Sequence, residues 1–155
     1  MKKENRLKIV KDTAEELLKL LRVEAKVEVM EDKENEAVKV KIESEEPGIL
    51  IGHHGETLNA LQLILGLMMS KKFEEWQRII VSVGDYRKKR EEQLKNLALN
   101  TAQKVKFSGQ ATAIPDLTSF ERRIVHLILA DHPDVTTESE GEGNYRRLVV
   151  KPKSK

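Results

Sequence analysis

Two glycines that flank two histidines, Gly52-His53-His54-Gly55, interrupt a stretch whose apolar spacing is otherwise helical. Before them, Pro47 to Ile51 suits one short helix, because proline is well tolerated in the first turn of a helix. After them, apolar residues recur at helical intervals to about Lys72. Glycine reaches backbone conformations that other residues avoid, so the pattern predicts a tight turn between two consecutive helices.

Strand patterns surround this pair of helices. Lys26–Val29 and Val38–Ile42 alternate polar and apolar residues, and so does Ile79–Val83, whereas the apolar residues between Leu7 and Leu21 have helical spacing. The predicted order is helix, strand, strand, short helix, helix, strand. We therefore predict one closed α+β domain over residues 1–84.

The second half has its own pattern. Residues 85–106 predict a long helix with Asp85 as its N-cap, and 107–115 predict a loop. Thr118 and Glu121 have the spacing of a capping box, which predicts a helix that ends near residues 131–133. Residues 135–137 and 147–150 predict paired strands around a loop at 141–144. We therefore predict a second, smaller α+β domain over residues 85–155.

The apolar residues of each later helix predict which of its faces is buried. In the helix after Gly55 the predicted core stripe is Leu58, Leu61, Ile64, Leu65 and Met68, and with Leu63 and Leu67 on other faces this helix is expected to be largely enclosed. The buried face of the long helix is predicted as Leu94, Leu97, Ala98, Thr101, Ala102 and Val105, and that of the last helix as Phe120, Ile124, Leu127 and Ile128.

Composition indicates a soluble globular chain, with 39% hydrophobic and 35% charged residues. The net charge is only +2, but residues 1–84 carry 14 basic and 16 acidic side chains while residues 85–155 carry 14 and 10. The positive second half hints at a polyanionic partner. The absence of cysteine excludes disulfides, Cys-ligated metals and thiol nucleophiles. We find no apolar run that predicts membrane insertion and no signal-peptide core at the N-terminus, so the expected compartment is the cytoplasm.

The Gly-x-x-Gly turn is the first candidate site, because a helix that begins beside glycines directs free N–H groups and a positive dipole end outwards. The turn alone is common, and a plain structural turn would be the better reading of it. Its setting between two helices resembles a type II KH domain, which implies that Gly52–Gly55 clamps the backbone of a single strand while Gly48, Ile49 and Ile51 line a groove for bases.

The loop departs from the usual KH pattern, because both variable positions are histidine and neither is lysine or arginine. Imidazole gains its positive charge only below about pH 6.5. We therefore predict weaker attraction for phosphate than a lysine loop would supply, and an affinity that rises as the pH falls towards 6.

Arg122 and His126 are the second candidate site, since their i, i+4 spacing puts them on one face of the last helix, roughly opposite its predicted buried stripe. On spacing alone a chance exposed pair is the better reading. However, the segments 136–141 and 146–150 follow this pair, and the arrangement resembles the R-three-H domain, a module that binds single-stranded nucleic acid. The resemblance implies a nucleic-acid-binding face that includes Arg123, with Arg146 or Arg147 extending it.

A third signal is the basic run Arg87-Lys88-Lys89-Arg90 at the start of the long helix. Cations in a first turn oppose the helix dipole, at a cost of about 0.3–1 kcal/mol each. A solvated face with ordinary ion pairs and a patch that tracks phosphates through Arg87, Lys88 and Arg90 are about equally good readings. Tyr86 or Trp76 could stack on a base, although the few aromatic residues are expected to be mostly structural.

Other chemistries find no support. The sequence has no phosphate-binding loop of the nucleotide hydrolases and no His-Glu-x-x-His motif, and its four histidines lack a carboxylate at a recognisable ligand spacing. We predict no catalytic residue, no metal ligand and no cofactor. A nuclease would need a site that the sequence does not display.

A KH unit followed directly by an R-three-H unit resembles the bacterial Jag, or SpoIIIJ-associated, family over nearly the whole chain. The N-terminal Jag-N domain of many members has no counterpart in this sequence. The resemblance implies a non-catalytic protein that binds single-stranded RNA, partners a small single-KH protein and affects cell division, elongation or sporulation.

Several alternatives stay open from the sequence. The strand could be RNA or single-stranded DNA, and the chain could form a homodimer. In a rival interpretation the KH half, with its net negative charge and lysine-free loop, is a protein-interaction or dimerisation scaffold, and the second domain alone contacts nucleic acid.

Overall fold

The computed structural model describes residues 3–154, which form two compact units. The first extends to Arg87 and the second begins at Lys88, three residues beyond the predicted boundary. Both units contain helices packed with a sheet that includes antiparallel strands, so the predicted α+β class is confirmed. The units are described separately below.

The first unit has the predicted element order. Its elements are α1 (Lys3–Leu20), β1 (Ala25–Asp32), β2 (Ala37–Ser44), α2 (Pro47–Ile51), a 3-10 turn (His53–Gly55), α3 (Glu56–Phe73) and β3 (Ile79–Val83). The strands form a sheet in the order β1-β2-β3, in which β2 pairs antiparallel with β1 and parallel with β3. The parallel pair is possible because the α2–α3 segment crosses over between β2 and β3.

Strand alternation directs one face of this sheet onto the helices. Val38, Val40 and Ile42 of β2 and Val81 of β3 are buried against apolar residues of α1 and α3. Leu50 is the only residue of α2 that is buried, and it joins the same core. Burying a leucine side chain contributes about 1.5–3 kcal/mol, so Leu50 fixes the short helix that precedes the glycine turn.

The second unit is built around a three-stranded antiparallel sheet. Its elements are α4 (Tyr86–Ser108), which starts within the first unit, then β4 (Thr112–Ile114), α5 (Ser119–Leu129), β5 (Val135–Glu140), a 3-10 turn (Gly143–Tyr145) and β6 (Arg147–Pro152). The strand order is β4-β6-β5, so β6 is central and β5 is an edge. Apolar residues of α4, α5 and β6 form its core.

The predicted capping box begins α5. The Thr118 side chain accepts a hydrogen bond from the Glu121 N–H, and the Glu121 carboxylate accepts one from the Thr118 N–H. Glu121 is only 3% exposed, and its other oxygen accepts from Arg90 Nε at 2.7 Å. A buried carboxylate needs such a partner, so Arg90 stabilises the start of α5 from α4.

Four sequence predictions about packing and local structure are wrong. Ile64 and Met68 of α3 are exposed, as are Leu63 and Leu67, so α3 is not enclosed. Phe120 and Leu127 of α5 and Leu97 of α4 are exposed rather than buried. The predicted loop at 107–115 contains β4, which pairs with β6. Apolar spacing cannot tell which side of a helix faces its own domain when apolar residues occur on several faces, and a three-residue strand is too short to show alternation.

Candidate nucleic-acid interface

The Gly52–Gly55 turn has a backbone that few residues other than glycine can adopt. Gly52 has φ 69° and ψ −170°, and a Cβ atom there would lie 2.1 Å from Thr57 Oγ1. This region of φ and ψ is essentially restricted to glycine. Gly55 is left-handed at φ 82°, and a Cβ there would lie 3.1 Å from the ring of Tyr86. Both glycines are therefore required by the geometry of the turn.

The two histidines form the outer part of this turn. Their rings stack, with centroids 4.1 Å apart and planes 12° apart, and His54 has the left-handed φ of 51°. His53 is exposed and His54 is half-buried. Gly55 brings no side chain to cap α3, so the turn presents stacked imidazoles beside the positive end of an 18-residue helix.

The aliphatic segment before the turn has the expected division between core and surface. Leu50 is fully buried, Ile51 is half-buried against the core, and Ile49 is exposed. The N–H of Gly52 donates to the Gly48 carbonyl at 2.9 Å, which closes α2 immediately before the turn. Ile49 and Ile51 are thus available as apolar surface next to Gly52, as the KH resemblance implies.

In the second unit, α5 and β5 enclose a surface pocket of about 530 Å³. Its lining residues are Ser119, Arg122, Arg123 and His126 from α5, Thr137 and Ser139 from β5, and Arg146 from the segment before β6. Three guanidinium groups and an imidazole therefore face three hydroxyl groups. Such a surface suits an anion that also accepts hydrogen bonds, and a phosphodiester has both properties.

Arg122 and His126 connect the walls of this pocket. The guanidinium of Arg122 donates to the Leu117 carbonyl at 2.8 Å and the Arg146 carbonyl at 3.5 Å from Nη1, and to Ser119 Oγ at 3.0 Å from Nη2. His126 Nδ1 shares a hydrogen bond of 2.5 Å with the Thr137 hydroxyl. Both residues therefore fix the position of the sheet side of the pocket relative to α5.

Arg123 and Arg146 differ from Arg122 in this respect. Within residues 3–154, the side chains of both are without a hydrogen bond or ion pair, and both residues are exposed. Their charges are therefore available to a ligand. Arg147, the first residue of β6, is also exposed but does not line the pocket, so of these two candidates the structure places only Arg146 there.

The basic run at the start of α4 also contains both cations with partners inside the protein and a cation without one. Arg87 donates to the Val81 carbonyl and to Gln62 Oε1, both at 3.1 Å, and partial burial of its guanidinium lowers its pKa. Arg90 is paired with Glu121. Of the three candidates in this run, only Lys88 is an exposed cation without a partner among the described residues. The ring of Tyr86 lies against Gly55, and Trp76 is exposed.

Sequence reasoning did not single out the hydroxyl residues of the pocket. Thr137 and Ser139 stand two and four residues after the buried Val135 on β5, so all three share one face of the strand. The signal that the sequence offered was that Thr137 and Ser139 are polar and continue the strand face that begins with the buried Val135. Ser119 follows the N-cap residue of α5 and had no comparable signal.

Comparison with known protein families finds two domains in this chain. Residues 9–83 match the KH domain of KhpA and KhpB, and residues 92–152 match the R-three-H domain. The fold and the two sites thus define a protein with a KH domain followed by an R-three-H domain. The resemblance to the Jag family that the sequence indicates is confirmed over the part of its relatives that this chain spans.

Curated relatives support the same family. The chain is 34% identical over 111 residues to the RNA-binding protein KhpB of Clostridium symbiosum, covering 72% of this chain and 50% of that protein. It is 36% identical to the KhpB of Lactiplantibacillus plantarum, covering 75% and 36%. It is 31% identical to the KhpB of Bacillus subtilis, covering 84% and 64%. The chain thus spans between about a third and two thirds of the length of these relatives.

Proposed function

We propose that this chain is a non-catalytic protein that binds single-stranded RNA through both of its domains. Gly52–Gly55 holds the backbone of a few nucleotides whose bases lie against Ile49 and Ile51. The pocket between α5 and β5 holds phosphates of neighbouring nucleotides on the same strand. Support comes from the KH and R-three-H matches and from relatives named as RNA-binding proteins.

The observation that carries the proposal is the pair of unpartnered arginines in the α5–β5 pocket. Among the described residues, the side chains of Arg123 and Arg146 are exposed and have no partner. The lining of the pocket contains no carboxylate that could pair with them. Two guanidinium groups beside three hydroxyls attract a polyanion without an internal competitor. No described helix, within residues 3–154, is long and apolar enough to cross a membrane.

Binding by both domains is expected to exceed binding by either one. Each site contacts few nucleotides, so each alone should be weak. When both engage one strand, the second contact occurs at the effective concentration that the first provides. The second unit supplies most of the charge, and the first supplies a shaped backbone turn.

The test is the affinity of the full chain for a short unstructured RNA, measured by fluorescence anisotropy over a range of salt concentrations. Arg123→Gln with Arg146→Gln should weaken binding and reduce the log–log salt slope by about 1.4, since each phosphate contact on a single strand contributes about 0.7. Lys95→Gln with Lys104→Gln is the matched control, because it removes the same charge from exposed positions of α4.

Two outcomes would decide against the proposal. Equal losses in the pocket variant and the α4 control would mean that net charge, rather than the pocket, attracts RNA. Binding by neither the native chain nor the variants would reject RNA binding itself. Parallel titration with the DNA strand of the same sequence decides between the two nucleic acids, and RNA that stays intact during incubation with magnesium would support a non-catalytic role.

The cellular role follows from the family and is part of the proposal. We infer that the chain regulates transcripts after transcription, that it partners a small single-KH protein, and that its loss affects cell division, elongation or sporulation. Crosslinking of the intact protein to RNA in cells, followed by sequencing, would check the first inference. Recovery of structural RNA alone would contradict it.

A second candidate function for the KH half is dimerisation, and the exposed face of α3 favours it. Leu63, Ile64 and Leu67 lie on one side of the helix and are all exposed, with Met68 at its margin. Glu56 and Lys71, which are also exposed, lie at the two ends of the same face. A contiguous apolar face of this size is uncommon on a monomer and indicates an interaction surface.

The order of residues on this face is self-complementary. If α3 of a second copy packs antiparallel about a point between Leu63 and Ile64, each Leu63 meets the other copy's Ile64. The same operation puts Glu56 opposite Lys71. Homodimers use such isologous contacts, in which one patch meets itself. We therefore infer a second copy of this chain as the occupant of the α3 face.

Sedimentation velocity of the full chain tests this candidate. Leu63→Lys with Leu67→Lys should convert a dimer into a monomer, since four like charges would meet at the centre of the interface. Leu20→Lys with Leu21→Lys is the control, because it introduces the same charges at exposed leucines outside α3. A native chain that stays monomeric at high concentration contradicts the candidate, and so does a dimer that survives the α3 substitutions.

A further inference from the structure

Two exposed aromatic residues are sequence neighbours of residues that line the α5–β5 pocket. Phe120, in the first turn of α5, is 66% exposed and follows the lining residue Ser119. Tyr145, at the end of the 3-10 turn, is 90% exposed and precedes the lining residue Arg146. Neither ring contributes to the core of the second unit. Both side chains therefore remain in contact with solvent, whereas phenylalanine and tyrosine usually bury much of their surface inside a domain.

The backbone that carries each ring is held firmly. Phe120 lies in the first turn of α5, which is fixed by the capping box of Thr118 and Glu121 and by the pairing of the buried Glu121 with Arg90. Tyr145 lies in a turn where its N–H donates to the Glu142 carbonyl at 3.1 Å. In the same turn, the Arg146 N–H donates to Gly143 at 3.2 Å. Exposed rings on fixed backbone lose little entropy when a ligand binds, which is what a preformed recognition site requires.

The turn of Tyr145 is also tied to α5. Gly141 has φ 89°, and a Cβ there would lie 2.9 Å from the Tyr145 carbonyl oxygen, so the chain can turn closely only with glycine at this position. Arg122 Nη1 donates to the Arg146 carbonyl from across the pocket. The position of Tyr145 relative to the arginines is therefore set by the same contacts that form the pocket.

We infer that Phe120 and Tyr145 are stacking platforms for unpaired bases of the strand whose phosphates lie in the α5–β5 pocket. This inference rests on the proposed function, because the occupant is single-stranded RNA. Every nucleobase has an aromatic face, so stacking adds affinity without demanding a sequence. Phe120 is a helical neighbour of Arg123 at i, i+3, and Tyr145 is bonded to Arg146, so each ring accompanies one unpartnered cation.

The charge of the pocket decides between this occupant and others. A protein partner that covered two aromatic rings would also have to bury Arg123 and Arg146 or pair them with carboxylates. A nucleotide satisfies both needs at once, with a phosphate for the guanidinium and a base for the ring. Each ring lies near one unpartnered cation in the chain, just as each base of a strand is accompanied by one phosphate.

The test uses the full chain with Phe120→Leu and with Tyr145→Leu, singly and together. Each single change should weaken binding of unstructured RNA by about fivefold or more, since stacking on one base contributes at least about 1 kcal/mol. The salt slope should stay unchanged, because no charge is removed. Phe107→Leu is the matched control, because Phe107 is 78% exposed at the end of α4 in the same unit and is not adjacent in sequence to any residue that lines the pocket.

Two further measurements make the result specific to stacking. RNA that contains one 2-aminopurine should lose fluorescence on binding to the native chain and lose less on binding to the double variant. A strand of the same phosphate count with abasic sugars should bind the native chain and the double variant equally well. Tyr145→Phe should keep the affinity, because it retains the ring and removes only the hydroxyl group.

Failure of this inference is distinguishable from failure of the proposed function. If Arg123→Gln with Arg146→Gln weakens binding while the leucine variants bind like the native chain, the phosphate pocket stands and stacking is wrong. If abasic and normal RNA bind the native chain equally, stacking is again wrong. If the native chain binds no RNA, both the proposed function and the stacking inference are wrong.

Discussion

The two candidate sites differ in the part of the chain that gives them their shape. The turn at Gly52–Gly55 is shaped by backbone: two glycines permit its conformation, and its variable positions bring stacked imidazoles but neither lysine nor arginine. The α5–β5 pocket is shaped by side chains, with Arg122 and His126 joining its walls and Arg123 and Arg146 left free within it. One site can fix the path of a strand, whereas the other can supply the charge that attracts it.

This difference explains how a chain with a net charge of only +2 can bind a polyanion. At physiological ionic strength charges are screened beyond about 8 Å, so attraction at a site depends mainly on the local excess of positive charge around it. The second unit concentrates that excess in the pocket. In the proposed mode of binding, the KH turn then needs only short-range contacts, for which backbone geometry is sufficient.

The largest expected effect comes from changing the backbone-built site. Gly52→Ala should lower the free energy of unfolding by about 3 kcal/mol, because the φ and ψ of Gly52 are strained for any other residue and the added methyl group meets Thr57. Urea denaturation measures this loss. Gly48→Ala is the control and should change stability little, because a Cβ at Gly48 meets nothing within 4 Å. Equal stability of both variants would contradict the backbone account of the turn.

The next effect concerns charge at the same turn. His53→Asp with His54→Asp should weaken RNA binding by well over tenfold, about 2 kcal/mol, because two negative charges would meet the phosphate. His53→Asn with His54→Asn is the control, since it changes shape similarly without adding charge. Circular dichroism should be unchanged in both pairs.

Two results would alter the comparison between the sites. If the aspartate pair binds RNA as well as the native chain, the KH half is not a clamp and the dimerisation scaffold becomes its better description. If affinity stays flat between pH 8 and pH 6, protonation of the two histidines makes no electrostatic contribution.

A smaller effect tests whether Arg122 holds the two walls of the pocket in position. Arg122→Lys keeps the charge but loses the forked contact with Leu117, Ser119 and Arg146, and should cost about 1 kcal/mol of stability. RNA affinity should fall with little change in salt slope. Arg123→Lys, which breaks no internal contact, should leave stability unchanged. The opposite ranking of the two variants would contradict the roles assigned to them.

The smallest effect concerns the acid stability of the KH half. Hydrogen bonds from Lys39 and then Asn35 hold the pKa of Asp32 at about 2, compared with 3.8 for an ordinary aspartate. A lowered pKa stabilises the fold above pH 3.8, and this contribution is lost as the pH falls towards 2. Asp32→Asn should therefore flatten the loss of stability over that interval in acid titrations followed by circular dichroism. A native-like slope in the variant would contradict this assignment.

The sequence by itself determined the order of the elements, except for β4, and the positions of both candidate sites along the chain. Period-2 and helical patterns predicted five of the six strands and all five helices, because these periods are imposed by the backbone. The capping box of Thr118 and Glu121 was visible for the same reason, since it is a contact between residues three apart. Gly52 and Gly55 were recognisable because few residues replace glycine at positive φ.

Tertiary structure alone decided which cations are free and which apolar residues are exposed. Arg87 and Arg90 look like Lys88 in the sequence, but long-range partners, Gln62 and Glu121, engage the two arginines. Ile64, Met68, Phe120 and Leu127 fit helical stripes, yet each lies outside the core because the sheet covers only one side of its helix. Local spacing is set by neighbours a few residues away, whereas burial and pairing depend on contacts between distant segments, and only folding brings these together.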